Sequence, residues 1–536
     1  MTPLPARIMR VAGPVMVAVL ALVVARGSRT SAHRFHTRWS FPTTATTATT
    51  ATNTTAARGG ANVSIPVYHM PVMENEFLVF PHFHVDSTGR RLLHIAEGFV
   101  LHLHQTTLFP DQVLIRTYDS NGGPIDEIIE AMAIQEEIYC DDEHLACVAL
   151  HTDPNDITVE GILSDSLRIV PVPFPNNTAR TNRTRHSHRV FRVKQRNSHP
   201  LDSQLTNNIT QLTDIDTNEL FQRRSQNRTY RIRPEVVIVT DHEHNKQFKT
   251  RGDLIRYIGI FMNAVNLRYS TATGIDIKMK ITAIIVSKPD QETYWKTQGK
   301  YVIADQSLAG FTYRLATGYI PGNFDFAYLI TGRDIAQLMP SGSLHPLVAG
   351  LAYIGGACTH QRAGLGEDMP GTYDGVHVAT HEMAHLLGCV HDGDPPPDYL
   401  SDSPGAQDCP WDDGYIMSYK EGGVNKYRFS SCCIETIKHI LDRGSHKCLL
   451  DDFNYPLTLD KRLPGQVLKP IDYCRVRFPE IPHVWTDNNK QDLLQCRIRC
   501  NYPVNYYTGM YVYRIANALD GTVCASNRTC INGVCQ

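Results

Sequence analysis

The chain has 536 residues, 42% apolar and 20% charged, which is ordinary for globular protein and excludes wholesale disorder. Its 52 lysines and arginines face 54 acids, and a net charge of −2 supplies no global field for nucleic acid or an anionic membrane. The 14 cysteines are even in number, and those from Cys358 to Cys535 are densely spaced, which predicts disulfides and an oxidising compartment.

Arg7 and Arg10 precede an apolar run from Val11 to Ala25, followed by small residues. The run is shorter than the ~20 residues that span a bilayer, so residues 1–25 read as a signal peptide. Residues 26–62, centred on Thr43–Ala57, are rich in Thr and Ala without apolar periodicity, a disordered tract. No later segment is apolar for long enough to span a membrane, and the sequons at Asn53, Asn62, Asn176, Asn182, Asn208, Asn227 and Asn527 fit an exported glycoprotein. Secretion is the expected location.

From Val63 to about Pro173, segments such as Phe77–Phe80, Phe99–Leu103 and Gln112–Tyr118 read as strands, with Asp119–Gly123 as a turn. From about 174 to 230 the chain is polar and basic, a linker or protease-sensitive junction. Arg189-Val-Phe-Arg192 and Arg228-Thr-Tyr-Arg231 there fit a loose Arg-x-x-Arg pattern for secretory convertases. From 231 the composition changes. A strand at Val236–Val239 leads into a helical pattern from about Lys246 to Tyr269, with Leu254, Ile255, Ile258, Phe261, Met262 and Val265 on one face. A strand at Ile281–Val286, a helix at Ala304–Thr317, and strands at Phe326–Ile330 and Leu351–Ile354 follow. Strands alternating with helices predict an α/β sheet with crossover connections. Residues 451–536 carry six of the cysteines in short segments and read as a small disulfide-held module.

The chemistry concentrates in Thr380-His381-Glu382-Met383-Ala384-His385-Leu386-Leu387-Gly388-Cys389-Val390-His391-Asp392. On a helix, positions i and i+4 share a face, so His381 and His385 can bind one metal. Gly388 lets the chain leave the helix in a conformation closed to bulkier residues, which brings His391 to a third ligand position. Three neutral nitrogens and one open position are the arrangement of a catalytic zinc. Glu382 lies beside the first ligand, where a carboxylate can take a proton from metal-bound water.

Tyr415-Ile-Met417 lies shortly after His391, and here the sequence resembles the metzincin metallopeptidases, whose Met-turn sets a methionine beneath the zinc ligands. Asp392 after the third histidine is similar to the adamalysin, or reprolysin, branch. Glu235–Asp241 resembles that family's first strand, Gly350–Cys358 its substrate-binding edge strand, and Phe429–Cys432 through Cys448–Leu450 its last helix. Residues 63–173 resemble a reprolysin propeptide, and Leu463–Leu468 with the later cysteines resembles the cysteine-rich module of ADAMTS-like enzymes. The combination with Cys409-Pro-Trp411 is most similar to secreted salivary metalloproteases of ticks.

The resemblance implies a multidomain protein: a β-rich propeptide over 63–230, a catalytic domain over 231–450 with a mixed, mostly parallel sheet and a zinc helix, and a cysteine-rich module over 451–536. It implies a secreted zinc endopeptidase, made as a proenzyme, that cuts internal bonds of extracellular proteins such as host haemostatic or matrix proteins. Glu382 would be the general base, and Leu351, Ala352, Tyr353 and Ile354 would pair with extended substrate. Adamalysins also carry a structural calcium, and Glu235, Asp334 and Asp451, with the Cys448 carbonyl, stand where its ligands would map; solvated acids are the plain alternative. The family pattern pairs Cys358 with Cys448. Cys389, Cys409, Cys432 and Cys433 then form two bridges among three pairings, with Cys409–Cys432 and Cys389–Cys433 favoured.

Many adamalysins are held latent by an unpaired propeptide cysteine. Before the catalytic domain this chain has only Cys140 and Cys147, close enough to bridge, and the adjacent Asp141, Asp142 and Glu143 disfavour a thiolate. A disulfide and a sterically acting propeptide are therefore expected. The rival function is a binding or disintegrin-like protein, since Arg251-Gly-Asp253 is the tripeptide integrins read; it leads straight into the apolar face of a helix, where a packing role is the simpler account.

Overall fold

A computed structural model describes residues 76–153, 156–172, 186–193, 230–450 and 463–536, apart from short gaps in the last two spans. The signal peptide, the Thr/Ala tract, most of the basic junction, Asp451 and every sequon except Asn527 lie outside the described residues.

The N-terminal region contributes eleven strands: β1 (Phe77–Val79), β2 (His82–Val85), β3 (Arg91–Ala96), β4 (Phe99–Gln105), β5 (Gln112–Tyr118), β6 (Pro124–Glu130), β7 (Ile138–Asp141), β8 (Ala146–Asp153), β9 (Asp156–Ile162), β10 (Leu167–Pro171) and β11 (His188–Arg192). Nine form one antiparallel sheet in the order β1-β11-β10-β9-β8-β7-β4-β3-β2. Alternation along β3 and β4 sends Leu93, Ile95, Leu101 and Leu103 into its core. Cys140 and Cys147 stand opposite each other on β7 and β8 and are bonded. Arg189-Val-Phe-Arg192 lies within β11, paired with β10 along its length and with β1 at Arg189 and Val190, and Val190 and Phe191 are buried. A convertase needs an accessible extended segment, so this Arg-x-x-Arg match is not a cleavage point in the folded chain.

The second sheet is built on β12 (Glu235–Thr240), β13 (Lys280–Val286), β14 (Phe326–Thr331), β15 (Gly350–Ala352) and β16 (Ala363–Glu367). Its order is β15-β16-β14-β12-β13-β5-β6, parallel from β16 to β5 and antiparallel at both edges. The hairpin β5–β6 thus belongs to this sheet, across the boundary that composition suggests. Its Val113, Leu114 and Ile115 are all buried, as in a parallel strand covered on both faces. Arg116 fixes the junction: it pairs with Asp126 at 2.6 Å and donates to the Tyr319 carbonyl at 2.8 Å.

Helix α1 (Arg251–Tyr269) starts five residues later than its periodicity suggests, after a separate turn at His242–Asn245. Thr250 sets the start, accepting from the Asp253 N–H while the Asp253 carboxylate accepts from the Thr250 N–H, a reciprocal cap. The apolar stripe is also wider than one face, since almost every residue from Asp253 to Tyr269 is buried. Leu108, Phe109, Ile138, Ala149 and Ile162 of the N-terminal region share one core with this helix. Helix α2 (Ala304–Ala316) packs on the opposite side, with Leu308 and Phe311 against Val237 and Leu329. Beyond residue 463 a hairpin of β17 (Arg497–Asn505) and β18 (Met510–Asn517) is tied to the helix at Pro470–Arg477 by Cys474–Cys500, with Cys496–Cys530 and Cys524–Cys535 beside it.

His188 makes the N-terminal sheet sensitive to acid. Its Nε2 accepts from the Val159 N–H at 2.9 Å and its Nδ1 faces the His186 carbonyl at 3.0 Å, so the ring is neutral. Burial pushes its pKa down to about 4. A histidine with a depressed folded pKa leaves stability intact above the unfolded value of about 6.5 and removes it as pH falls towards 4, here by up to about 3 kcal/mol. Urea unfolding of the His188→Gln chain at pH 7.5 and pH 4 should therefore show a smaller acid loss than the parent; equal losses would reject the assignment.

Candidate metal centre

Helix α3 (Gly375–Leu386) carries His381, Glu382 and His385 and is tied at both ends. At its start the Gly375 N–H donates to Asp368 Oδ1 at 3.0 Å, while Asp368 Oδ2 accepts from the Tyr257 hydroxyl of α1 at 2.8 Å and meets His244 Nε2 at 2.9 Å. Midway, the Tyr269 hydroxyl donates to the Thr380 carbonyl at 3.0 Å. At its end the N–H groups of Gly355 and Ala357 take the carbonyls of His385 and Leu386. Gly388 then turns with φ +107°, and a Cβ there would stand 2.4 Å from Ile440 Cγ1. Both facts demand glycine.

The three rings converge, with centroids 4.7, 4.7 and 4.9 Å apart and ligand nitrogens within 4.8 Å of one another. His381 Nδ1 meets the Ile416 carbonyl and His385 Nδ1 the Cys389 carbonyl, each at 2.7 Å. Those contacts assign the proton to Nδ1 and leave Nε2 as a metal donor. His381 and His391 face each other through Nε2 at 3.0 Å, and His385 Nε2 has no hydrogen-bond partner. Buried lone pairs aimed at one point are what a cation satisfies, so the donor set fits zinc. Burial, reinforced at His381 and His391 by the neighbouring imidazoles, depresses all three pKa values, that of His385 to about 4. The ligands are held neutral, as metal binding requires.

Both Glu382 oxygens are buried and unpartnered, and burial pushes the carboxyl pKa well above the usual range. Strand β15 runs directly against it: a Cβ on Gly350 would lie 2.7 Å from Glu382 Cγ and Oε1. This strand covers Gly350–Ala352, so Tyr353 and Ile354 fall outside it, where the chain bends through Gly355 to cap α3. All four residues from Leu351 to Ile354 are buried, and β15 is the sheet's terminal strand among the described residues.

Met417 is fully buried in the core that holds Met383 and Ala384, and its carbonyl accepts the Asp392 N–H at 2.9 Å. Asp392 Oδ1 in turn accepts from the Ser430 hydroxyl at 2.5 Å, and Ser430 caps helix α4 (Ser431–Asp442). Burial raises the Asp392 pKa to about 6. The disulfides Cys389–Cys433, Cys409–Cys432 and Cys358–Cys448 surround this assembly.

The calcium set does not assemble as mapped. Glu235 opens β12 beside Asp325, whereas Asp334 follows the far end of the parallel neighbour β14 and pairs with Lys300 at 2.9 Å. Parallel strands put those two carboxylates at opposite ends of the sheet. Asp325 lies instead near Cys358 and Cys448, whose sulfurs are bonded to each other. The integrin tripeptide is equally absorbed by packing: Asp253 is 2% exposed in the α1 cap and Arg251 pairs with Glu127 at 2.6 Å. Asp368 and Tyr257 escaped the sequence reading because each acts on α3 from a remote segment, without a local signature.

Residues 231–430 match the reprolysin-type sequence profile of metallopeptidase family M12. The chain is 30% identical over 338 residues to an "A disintegrin and metalloproteinase with thrombospondin motifs like" protein of Bombyx mori, covering 59% of this chain and 46% of that one. The chain thus spans about half the length of that relative. It is 24% identical to the venom metalloproteinase antarease-like TtrivMP_A of Tityus trivittatus, covering 60% of this chain and 82% of the other. It is 25% identical to the venom metalloproteinase antarease TserMP_A of Tityus serrulatus, covering 60% and 81%.

Gly388→Ala tests the geometry of the turn. It should shift the Cys389 carbonyl off His385, lower bound zinc and cost at least about 2 kcal/mol through strain and overlap with Ile440. Full zinc content with an unchanged melting temperature would refute that role.

Proposed function

With residues 231–430 forming a reprolysin-type domain of metallopeptidase family M12, we propose that the chain is a secreted zinc endopeptidase, made as a proenzyme, that cuts internal bonds of extracellular proteins. The observation that carries this reading is the convergence of three neutral, buried imidazoles beside an unpartnered Glu382. Zinc held by His381, His385 and His391 would polarise a scissile carbonyl and acidify a bound water. Glu382 takes the water's proton and returns it to the leaving amine. The outer edge of β15, lying against Glu382, pairs with an extended substrate backbone and sets the scissile bond near that carboxylate. The Ile416 and Cys389 carbonyls keep the ligand rings from turning. Seven disulfides and the apolar leader support an extracellular location. No helix among the described residues is long and apolar enough to cross a membrane.

Latency is steric in this reading. His381 is 1% exposed and His385, His391 and Glu382 are 0% exposed in the full chain. The N-terminal region grips the metal centre's surroundings directly: buried Arg168 donates to the Thr372 carbonyl at 2.6 Å, three residues before α3, and Asp165 pairs with Lys426 at 2.9 Å. Among the described residues no cysteine is free to act as a thiolate ligand. Activating cleavage belongs between 194 and Arg231, since the β11 arginines are locked in the sheet while the second Arg-x-x-Arg match ends at Arg231. A binding function through Arg251–Asp253 has no support from the buried Asp253.

Glu382→Ala should keep zinc and fold while hydrolysis of a casein-derived peptide by the matured enzyme falls by a factor of about 10² to 10⁴. Turnover above a few per cent of wild type would remove Glu382 from the mechanism. For latency, a mercurial added to the intact chain should release no activity, whereas a protease site engineered into 194–229 should release it. Mercurial activation without cleavage would reinstate a thiolate switch.

A further inference from the structure

Histidines crowd one face of the N-terminal sheet's free end. Since Leu93, Ile95, Leu101 and Leu103 point into the core, alternation gives the opposite face to His82 and His84 on β2, His94 on β3, and His102 and His104 on β4. The register places His82 directly opposite His94 and His84 opposite Leu92, one step along the same face. The rings of His84 and His94 are 5.1 Å apart between centroids, those of His82 and His84 5.5 Å, and those of His82 and His94 6.1 Å.

Zinc–nitrogen bonds of about 2.1 Å in a tetrahedron place imidazole centres about 5 Å apart. The trio has this spacing, but the His84 and His94 rings are stacked at 20°, so sharing one ion requires the side chains to turn towards a common point. His82 is exposed at the strand's edge. Two nitrogens already lack partners: His84 Nδ1 and His94 Nε2 are closed to solvent without a hydrogen bond. An orphaned buried nitrogen costs roughly 1–3 kcal/mol, which a metal ion would offset. The backbone is set in advance, because Asp86 closes the β2–β3 turn through the N–H groups of Thr88 and Arg90. A donor set of imidazoles alone disfavours calcium and magnesium and suits zinc, copper or nickel.

We propose that His82, His84 and His94 form a second zinc site, remote from the catalytic centre, which clips the terminal strand β2 to β3. Three protein nitrogens leave its fourth position to water or a small anion. The strand has four residues and pairs only with β3 among the described residues, so the clip binds the least supported edge of the sheet.

The test uses the full chain with Glu382→Ala, which prevents loss of the N-terminal region by self-cleavage. After dialysis against micromolar free Zn²⁺, elemental analysis should find two zinc ions per chain. Adding His94→Asn should lower this to one, and adding His385→Ala instead should also leave one. His102→Asn, on the same face and outside the trio, should leave two, with circular dichroism confirming that each variant is folded. One zinc in the parent that disappears with His385→Ala, or two zinc ions retained by the folded His94→Asn chain, would overturn the proposal.

Discussion

Helix α1 is buried on every side, and the rest of the molecule is arranged around that requirement. One flank lies on the parallel sheet through Ile238 and Ile284, and the other is covered by Phe109, Ile138 and Ile162 from the N-terminal region. At about 1.5–3 kcal/mol per buried large side chain, those three residues of the N-terminal cover contribute roughly 5–9 kcal/mol of apolar burial. Removing it would expose a hydrophobic surface on the metal-binding half. The same helix supplies Tyr257 and Tyr269, whose hydroxyls fix the start and the middle of the histidine helix. Packing and site geometry are therefore a single problem in this chain.

The metal centre concentrates polar groups that a core would ordinarily reject. Neutral imidazoles, a carboxyl with no partner and an aspartate with one unbonded oxygen are all buried within one cluster. Their tolerance comes from the second layer: the carbonyls of Ile416 and Cys389, the Ser430 hydroxyl and the Met417 carbonyl each hold one member in orientation. Three disulfides cross the same layer and restrict the unfolded chain where the polar groups cost most.

What was legible in the sequence is what is encoded locally. Thr380–Asp392 holds its donors within one helix and one turn, and the glycine that makes the turn lies inside the motif, so spacing alone located the site. The crossover strands were legible for the same reason. Contacts between distant segments left no such trace. Nothing near Gln112–Tyr118 says that this strand joins Lys280–Val286, and nothing near Asp368 says that its carboxylate caps α3. Alignment of Asp334 with a calcium set failed because sequence proximity to a strand does not say which end of the sheet a side chain occupies. The start of α1 moved because one reciprocal cap at Thr250 outweighs several residues of helical periodicity.

The insertion of β5–β6 into the second sheet changes what severing the polypeptide accomplishes. A break between 194 and 229 leaves the hairpin hydrogen-bonded to β13 and the Arg116 guanidinium on the Tyr319 carbonyl. The two fragments then form a bimolecular complex, whose persistence follows concentration and dissociation rate and not the completeness of digestion. Dilution becomes the driving force for separation. The liberated fragment must also shield the edge of β13, since an unpaired parallel strand is a template for another chain.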